Sequence, residues 1–165
     1  MSRTFYGKYR GIVTNTNDPL KLGRLRARVP DVTGDQEIGW ALPCVPYAGE
    51  KFGAFALPTV GTKVWIEFEN GDADYPIWTG CFWGSSNELP KDVAGDPEKI
   101  RVLETPGGHR IVFDDNQNGG IRLETSGGQK LVIDGNGIQI DDGHNGKIKI
   151  SNGKVSVNDD ALEVI

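Results

Sequence analysis

Few side chains in this sequence could do chemistry, and their spacing limits what each can do. Glu67 and Glu69 flank Phe68 and could pose as paired carboxylates for acid–base work. They alternate with apolar neighbours, however, which places both on the solvent side of a strand. Asp114-Asp115 and Asp141-Asp142 sit beside glycines, as in calcium-binding β-rolls. The Gly-Gly-x-Gly-x-Asp nonapeptide of such rolls is absent, so these residues read as turn acids that cap strands. Cys44 and Cys81 lie in apolar strand-like contexts, Leu42-Pro43-Cys44-Val45 and Gly80-Cys81-Phe82-Trp83. They predict buried, reduced core thiols rather than a disulfide framework. There is no nucleophile elbow, P-loop or zinc signature. The expectation is a protein that is not an enzyme, with no catalytic residue, metal or cofactor.

The remaining reactive set is basic. Arg24, Arg26 and Arg28 alternate with Leu25, Ala27 and Val29, which is period two with one face buried. Two readings stand for the arginines: a solvated outer strand face, or a grip on an acidic partner or nucleic acid. The net charge of −5 and pI near 5.0 oppose a generic nucleic-acid or anionic-membrane binder.

Short strands must position these residues. Phe5 to Thr14 reads as the first, followed by the turn cluster Asn15-Thr16-Asn17-Asp18-Pro19. The arginine strand ends at Pro30-Asp31. Trp40 to Val45 is a short strand broken by Pro43, hence an edge or a bulge. Pro46 to Val60 reads as an ordered loop. Thr62 to Glu69 is the strongest strand of this half; it turns at Asn70-Gly71-Asp72 and pairs with Pro76 to Trp83. Five short strands with an aromatic closing hairpin predict an oligonucleotide/oligosaccharide-binding (OB) barrel over residues 1–84. Residues 85–104 read as a linker, with one helical turn near Asp96 to Arg101.

From Thr105 the composition changes, and the chain nearly repeats itself. Thr105-Pro106-Gly107-Gly108-His109-Arg110-Ile111-Val112-Phe113-Asp114 returns as Thr125-Ser126-Gly127-Gly128-Gln129-Lys130-Leu131-Val132-Ile133-Asp134. Each later segment offers a pair of inward apolar residues: Ile121 and Leu123, Leu131 and Ile133, Ile138 and Ile140, Ile148 and Ile150, Val155 and Val157. A single ribbon of this kind would expose its edges and be marginally stable. A solenoid needs about three rungs, and the tail supplies barely two. Three chains supply enough, so residues 105–165 predict a trimeric prism. In a trimer His109 or His144 could form a three-fold ring that binds a metal, although ordinary turn histidines are the simpler reading.

The chain then resembles a known family. Gly11-Ile12-Val13, Asn17 to Pro30, Trp40-Ala41, Gly53-Ala54-Phe55, Gly61 to Trp65, Gly71-Asp72 and Pro76 to Gly80 are similar to the OB domain of central-spike proteins. These proteins belong to contractile phage tails and related injection machines, the baseplate V and VgrG type. Gly108 to Asp115 resembles the family's β-helix entry. The resemblance implies an all-β homotrimer, an OB barrel followed by a triple-stranded intertwined β-helix, seated on a baseplate hub protein. It implies a mechanical, membrane-piercing role at the target-cell envelope without nucleic acid. The location would be a virion or injection particle, synthesised in the host cytoplasm. A lysozyme domain carried by one relative between the two parts has no counterpart in residues 85–104. On this reading Arg24, Arg26 and Arg28 are candidates for hub contact. Leu162, Val164 and Ile165 form a blunt apolar platform for a separate PAAR-like tip protein. The alternative is an OB module for nucleic acid or saccharide with a trimerising tail.

Overall fold

The computed structural model describes residues 3–159 and 161–164, and the chain divides into two units, Met1–Ser86 and Asn87–Ile165. In the first unit β1 (Tyr9–Asn15), β2 (Arg26–Arg28), β6 (Lys63–Phe68), β7 (Pro76–Cys81) and β3 (Leu42–Pro43) form one sheet. Its order is β2-β1-β6-β7-β3, antiparallel except where β3 runs parallel to β7. The sheet curls until its ends meet: bridges Leu25↔Ala41 and Arg28↔Glu37 join β2 to the segment leading into β3. Closure of this kind leaves the small barrel few free edges.

Period-two alternation builds the barrel core. Val64, Ile66 and Phe68 point inward from β6, while Lys63, Trp65 and Glu67 are half-buried on the other side. Val13, Leu25, Ala27, Val29, Ile38, Ala41 and Trp78 complete the interior. The buried Trp78 indole donates from Nε1 to the Gly23 carbonyl at 3.1 Å, satisfying its one polar group.

Several local expectations need correction. Regular pairing in β1 starts at Tyr9; Phe5 is buried but held by a single backbone bond to the Gly71 carbonyl, 2.8 Å. Pro30–Thr33 is a one-turn helix, α1, with Pro at its first position, where the missing N–H costs nothing. The Pro46–Val60 loop holds a two-residue hairpin, β4 (Ala48–Gly49) with β5 (Phe52–Gly53). Cys44 and Cys81 are free but exposed. Both lie at the open ends of strands, where alternation no longer dictates burial.

The second unit opens with a 3-10 turn at Lys91–Ala94. The helical turn expected at Asp96 to Arg101 is instead a tight turn, with Lys99 N donating to Asp96 O at 3.1 Å. A strand begins directly after it, inside the stretch read as linker. Eight strands follow: β8 (Ile100–Glu104), β9 (Arg110–Asp114), β10 (Gly120–Glu124), β11 (Lys130–Asp134), β12 (Gly137–Asp141), β13 (Lys147–Ser151), β14 (Lys154–Val157) and β15 (Leu162–Val164). Each pairs antiparallel with the one before, in sequence order. The twenty-residue repeat is therefore one hairpin, β9 and β11 being equivalent strands. Antiparallel pairing rules out single-chain solenoid coiling, and one chain forms an open sheet, not a closed helix.

Candidate assembly surface

Register turns the tail into two unbroken ladders of apolar side chains. In an antiparallel pair, directly opposed residues share a face. One ladder runs Phe113, Ile121, Ile133, Ile138, Ile150, Val155; the other runs Leu103, Ile111, Leu123, Leu131, Ile140, Ile148, Val157, Leu162. Both lie on the same face, and most of their members are exposed within one chain. Ile138 is 36% exposed, Ile140 50% and Leu103 68%, whereas Ile111, Leu131, Val155 and Val157 are half-buried. Full burial of such a side chain is worth about 1.5–3 kcal/mol, so roughly 1 kcal/mol per residue remains ungained.

The opposite face carries one row ordered by charge, beside a row that includes Val102, Val112 and Val132. Glu104, Arg110, Glu124, Lys130, Asp141 and Lys147 stand directly opposite one another from β8 to β13, alternating in sign at every step. Arg110 meets Glu124 at 2.9 Å, Lys130 meets Asp141 at 3.8 Å, and Lys147 meets Asp159 at 3.8 Å. A register slip of one residue would turn a strand's apolar pair onto the charged face. Asp92, from the 3-10 turn, is gripped by both Arg110 (3.0 Å) and Arg122, and the neighbouring Val112 is 1% exposed. The segment around Asp92 is thus strapped to the first strands of the sheet.

Turn chemistry accounts for the acids singled out in the sequence. Asp114 Oδ1 accepts from Asn116 N at 2.9 Å, and Asp142 Oδ1 accepts from His144 N at 2.8 Å and Gly146 N at 3.0 Å. These backbone donors hold the Asp114 and Asp142 carboxyls below the ordinary range. His109 and His144 occupy turns: His109 Nδ1 accepts from Ser126 N at 3.3 Å, and His144 folds over its own turn. Among the described residues no group of three or more His, Cys, Asp or Glu could hold a metal ion. Glu67 pairs with Lys8 at 2.6 Å rather than with Glu69.

The three arginines fare differently from one another. Arg24 makes a forked contact with Asp18, Nε at 3.0 Å and Nη2 at 2.6 Å, and holds that carboxyl well below the usual range. Arg26 reaches Glu37 at 3.4 Å, and with Arg24 it lies over the Trp40 ring. Arg28 is exposed. Of the expected apolar platform, Leu162 is 60% exposed and Val164 pairs with Val155 on the edge strand β15, whereas Ile165 lies outside the described residues. Sequence reading missed Leu103, Ile111 and Phe113 as members of the ladders. For Ile111 and Phe113 the signal was the repeat itself, in which they fall on Leu131 and Ile133.

Comparison with known proteins places both units. Residues 9–83 match the type VI secretion system/phage-baseplate injector OB domain, and residues 100–163 match the phage baseplate V C-terminal trimerisation domain. The type VI secretion system spike protein VgrG4b of Pseudomonas aeruginosa is 27% identical over 101 residues, 60% of this chain and 12% of the relative. The spike protein VgrG3 of Vibrio cholerae is 32% identical over 102 residues, 56% of this chain and 10% of the relative. The actin cross-linking toxin VgrG1 of Vibrio cholerae is 38% identical over 86 residues, 49% of this chain and 8% of the relative. The matched stretch is thus about a tenth of these much longer proteins.

Proposed function

Because this chain belongs to the phage baseplate V and type VI secretion spike family, we propose that it assembles as the homotrimeric central spike of a contractile injection apparatus. One observation carries the reading: a two-residue-wide apolar face runs from β9 to β14, extended by Leu103 in β8 and Leu162 in β15, and most of it is exposed in a single chain. Eight strands at about 4.8 Å spacing make a face roughly 34 Å long, and five residues make it about 17 Å wide. Three such faces turned inward form a prism whose layers from β9 to β14 hold six apolar side chains each, two from each copy. The charge ladders then lie outward in water. Pulling such a prism apart breaks many backbone bonds and packed contacts at once, so it can transmit axial force.

In this reading the first unit seats on a baseplate hub protein. The shaft is driven through the target-cell envelope, and a separate tip protein seats beside the exposed Leu162. Synthesis in the host cytoplasm precedes incorporation into the particle. The work is mechanical, and no bond-making step is assigned to any side chain. Replacing Ile140 by Asp tests the reading directly. In a free sheet this half-exposed position tolerates a carboxylate; in a prism it buries three of them on the axis. Sedimentation should show the variant as monomer while its barrel keeps its near-ultraviolet signal. A variant that assembles like the parent contradicts the prism.

A further inference from the structure

The outer face of the barrel sheet carries a second, chemically different surface. β1 turns Arg10 and Ile12 outward, β2 turns Arg28, and β6 turns Lys63 and Trp65. Register sets Ile12 opposite Arg28 on one side and opposite Lys63 on the other, with Arg10 opposite Trp65. Phe82 packs on Trp65 at 4.6 Å, and the Arg10 guanidinium lies 5.8 Å and 5.5 Å from the two ring centres.

Two of the charges here are unspent. Lys8, Arg24 and Arg26 are each paired to a carboxylate, but Arg10 and Arg28 make no ion pair among the described residues. Nor does the face follow the overall charge. Residues 1–86 carry nine Lys and Arg against nine Asp and Glu, whereas residues 87–165 carry nine against fourteen, so the whole −5 belongs to the second unit. A neutral unit sets Arg10 and Arg28 on one side of its sheet around an exposed isoleucine, and the carboxylates of that side, Glu67 and Glu37, are taken up by Lys8 and Arg26. Arginine and aromatic residues around an apolar centre are the make-up of a protein-binding hot spot.

Single-stranded nucleic acid fits less well. Base stacking needs open aromatic faces, and here Trp65 and Phe82 lie against each other with Arg10 over both. We propose that this face binds an acidic protein surface whose carboxylates pair with Arg10 and Arg28 around Ile12. The proposal goes beyond the trimer reading and does not depend on it.

The test uses the full chain and two labelled probes, a peptide of alternating Glu and Phe and an oligothymidylate, followed by fluorescence anisotropy at low and high salt. The peptide should bind, more weakly at high salt. Arg10→Glu with Arg28→Glu should lose about tenfold or more in affinity. Lys51→Glu, in the exposed β4–β5 loop, should change nothing. Arg28→Glu alone, at an exposed position without an ion pair, guards against misfolding and should show part of the loss. The sedimented mass of the double variant should equal that of the parent, whatever that mass is. No peptide binding, equal binding by the double variant, or oligothymidylate bound more tightly than the peptide would overturn the proposal.

Discussion

Asp18 shows how much one residue can organise. Its carboxylate takes the Arg24 fork and also accepts the backbone N–H groups of Leu20 and Leu22, at 3.0 and 2.7 Å. It thereby fixes the turn that feeds β2. Because the folded-state pKa lies below the unfolded one, the stabilisation is full at neutral pH and is lost as pH falls below about 4. Asp18→Asn should therefore lower the urea midpoint at pH 7, and the gap to the parent should close in acid. A constant gap across that range would contradict the assignment. Gly137 is constrained differently: it has φ +125, and an added Cβ would sit 2.1 Å from the Ile150 carbonyl oxygen. Gly137→Ala should cost about 2 kcal/mol in thermal or denaturant unfolding.

At the scale of elements, the charge ladder and the apolar ladders are two sides of one register. Lys130 stands between Glu124 and Asp141, so Lys130→Glu places three acids in a row. The expected loss is about 1 kcal/mol, recovered only in part by high salt because Asp141 is buried and Glu124 half-buried. A loss that salt does not touch would mean that packing, not charge, is at fault. Much of this layout was legible in the sequence. The paired apolar residues from Ile121 to Val157, the strict alternation of Leu25 to Val29 and the Asn70-Gly71 turn each rest on local periodicity, which sequence displays directly. What escaped were features that depend on partners distant in the chain. The 3-10 turn at Lys91–Ala94 has no pattern of its own and is held by Asp92 reaching Arg110 and Arg122. Ile100–Glu104 is a strand because β9 pairs with it, and Cys44 and Cys81 are exposed because the strands around them end early.

At the scale of the whole molecule, the two units divide the labour. The barrel buries its own core and presents a basic outer face. The second unit leaves its apolar face uncovered and carries all of the net negative charge. In the proposed spike, the domain that completes itself would be the seat, and the sheet that does not would form the shaft by association. The measurement that bears most directly on this is the mass of the unmodified protein by sedimentation equilibrium over a wide dilution series. Assembly through the sheet predicts three times 17.9 kDa, unchanged on dilution. A species of 17.9 kDa that stays folded would contradict it.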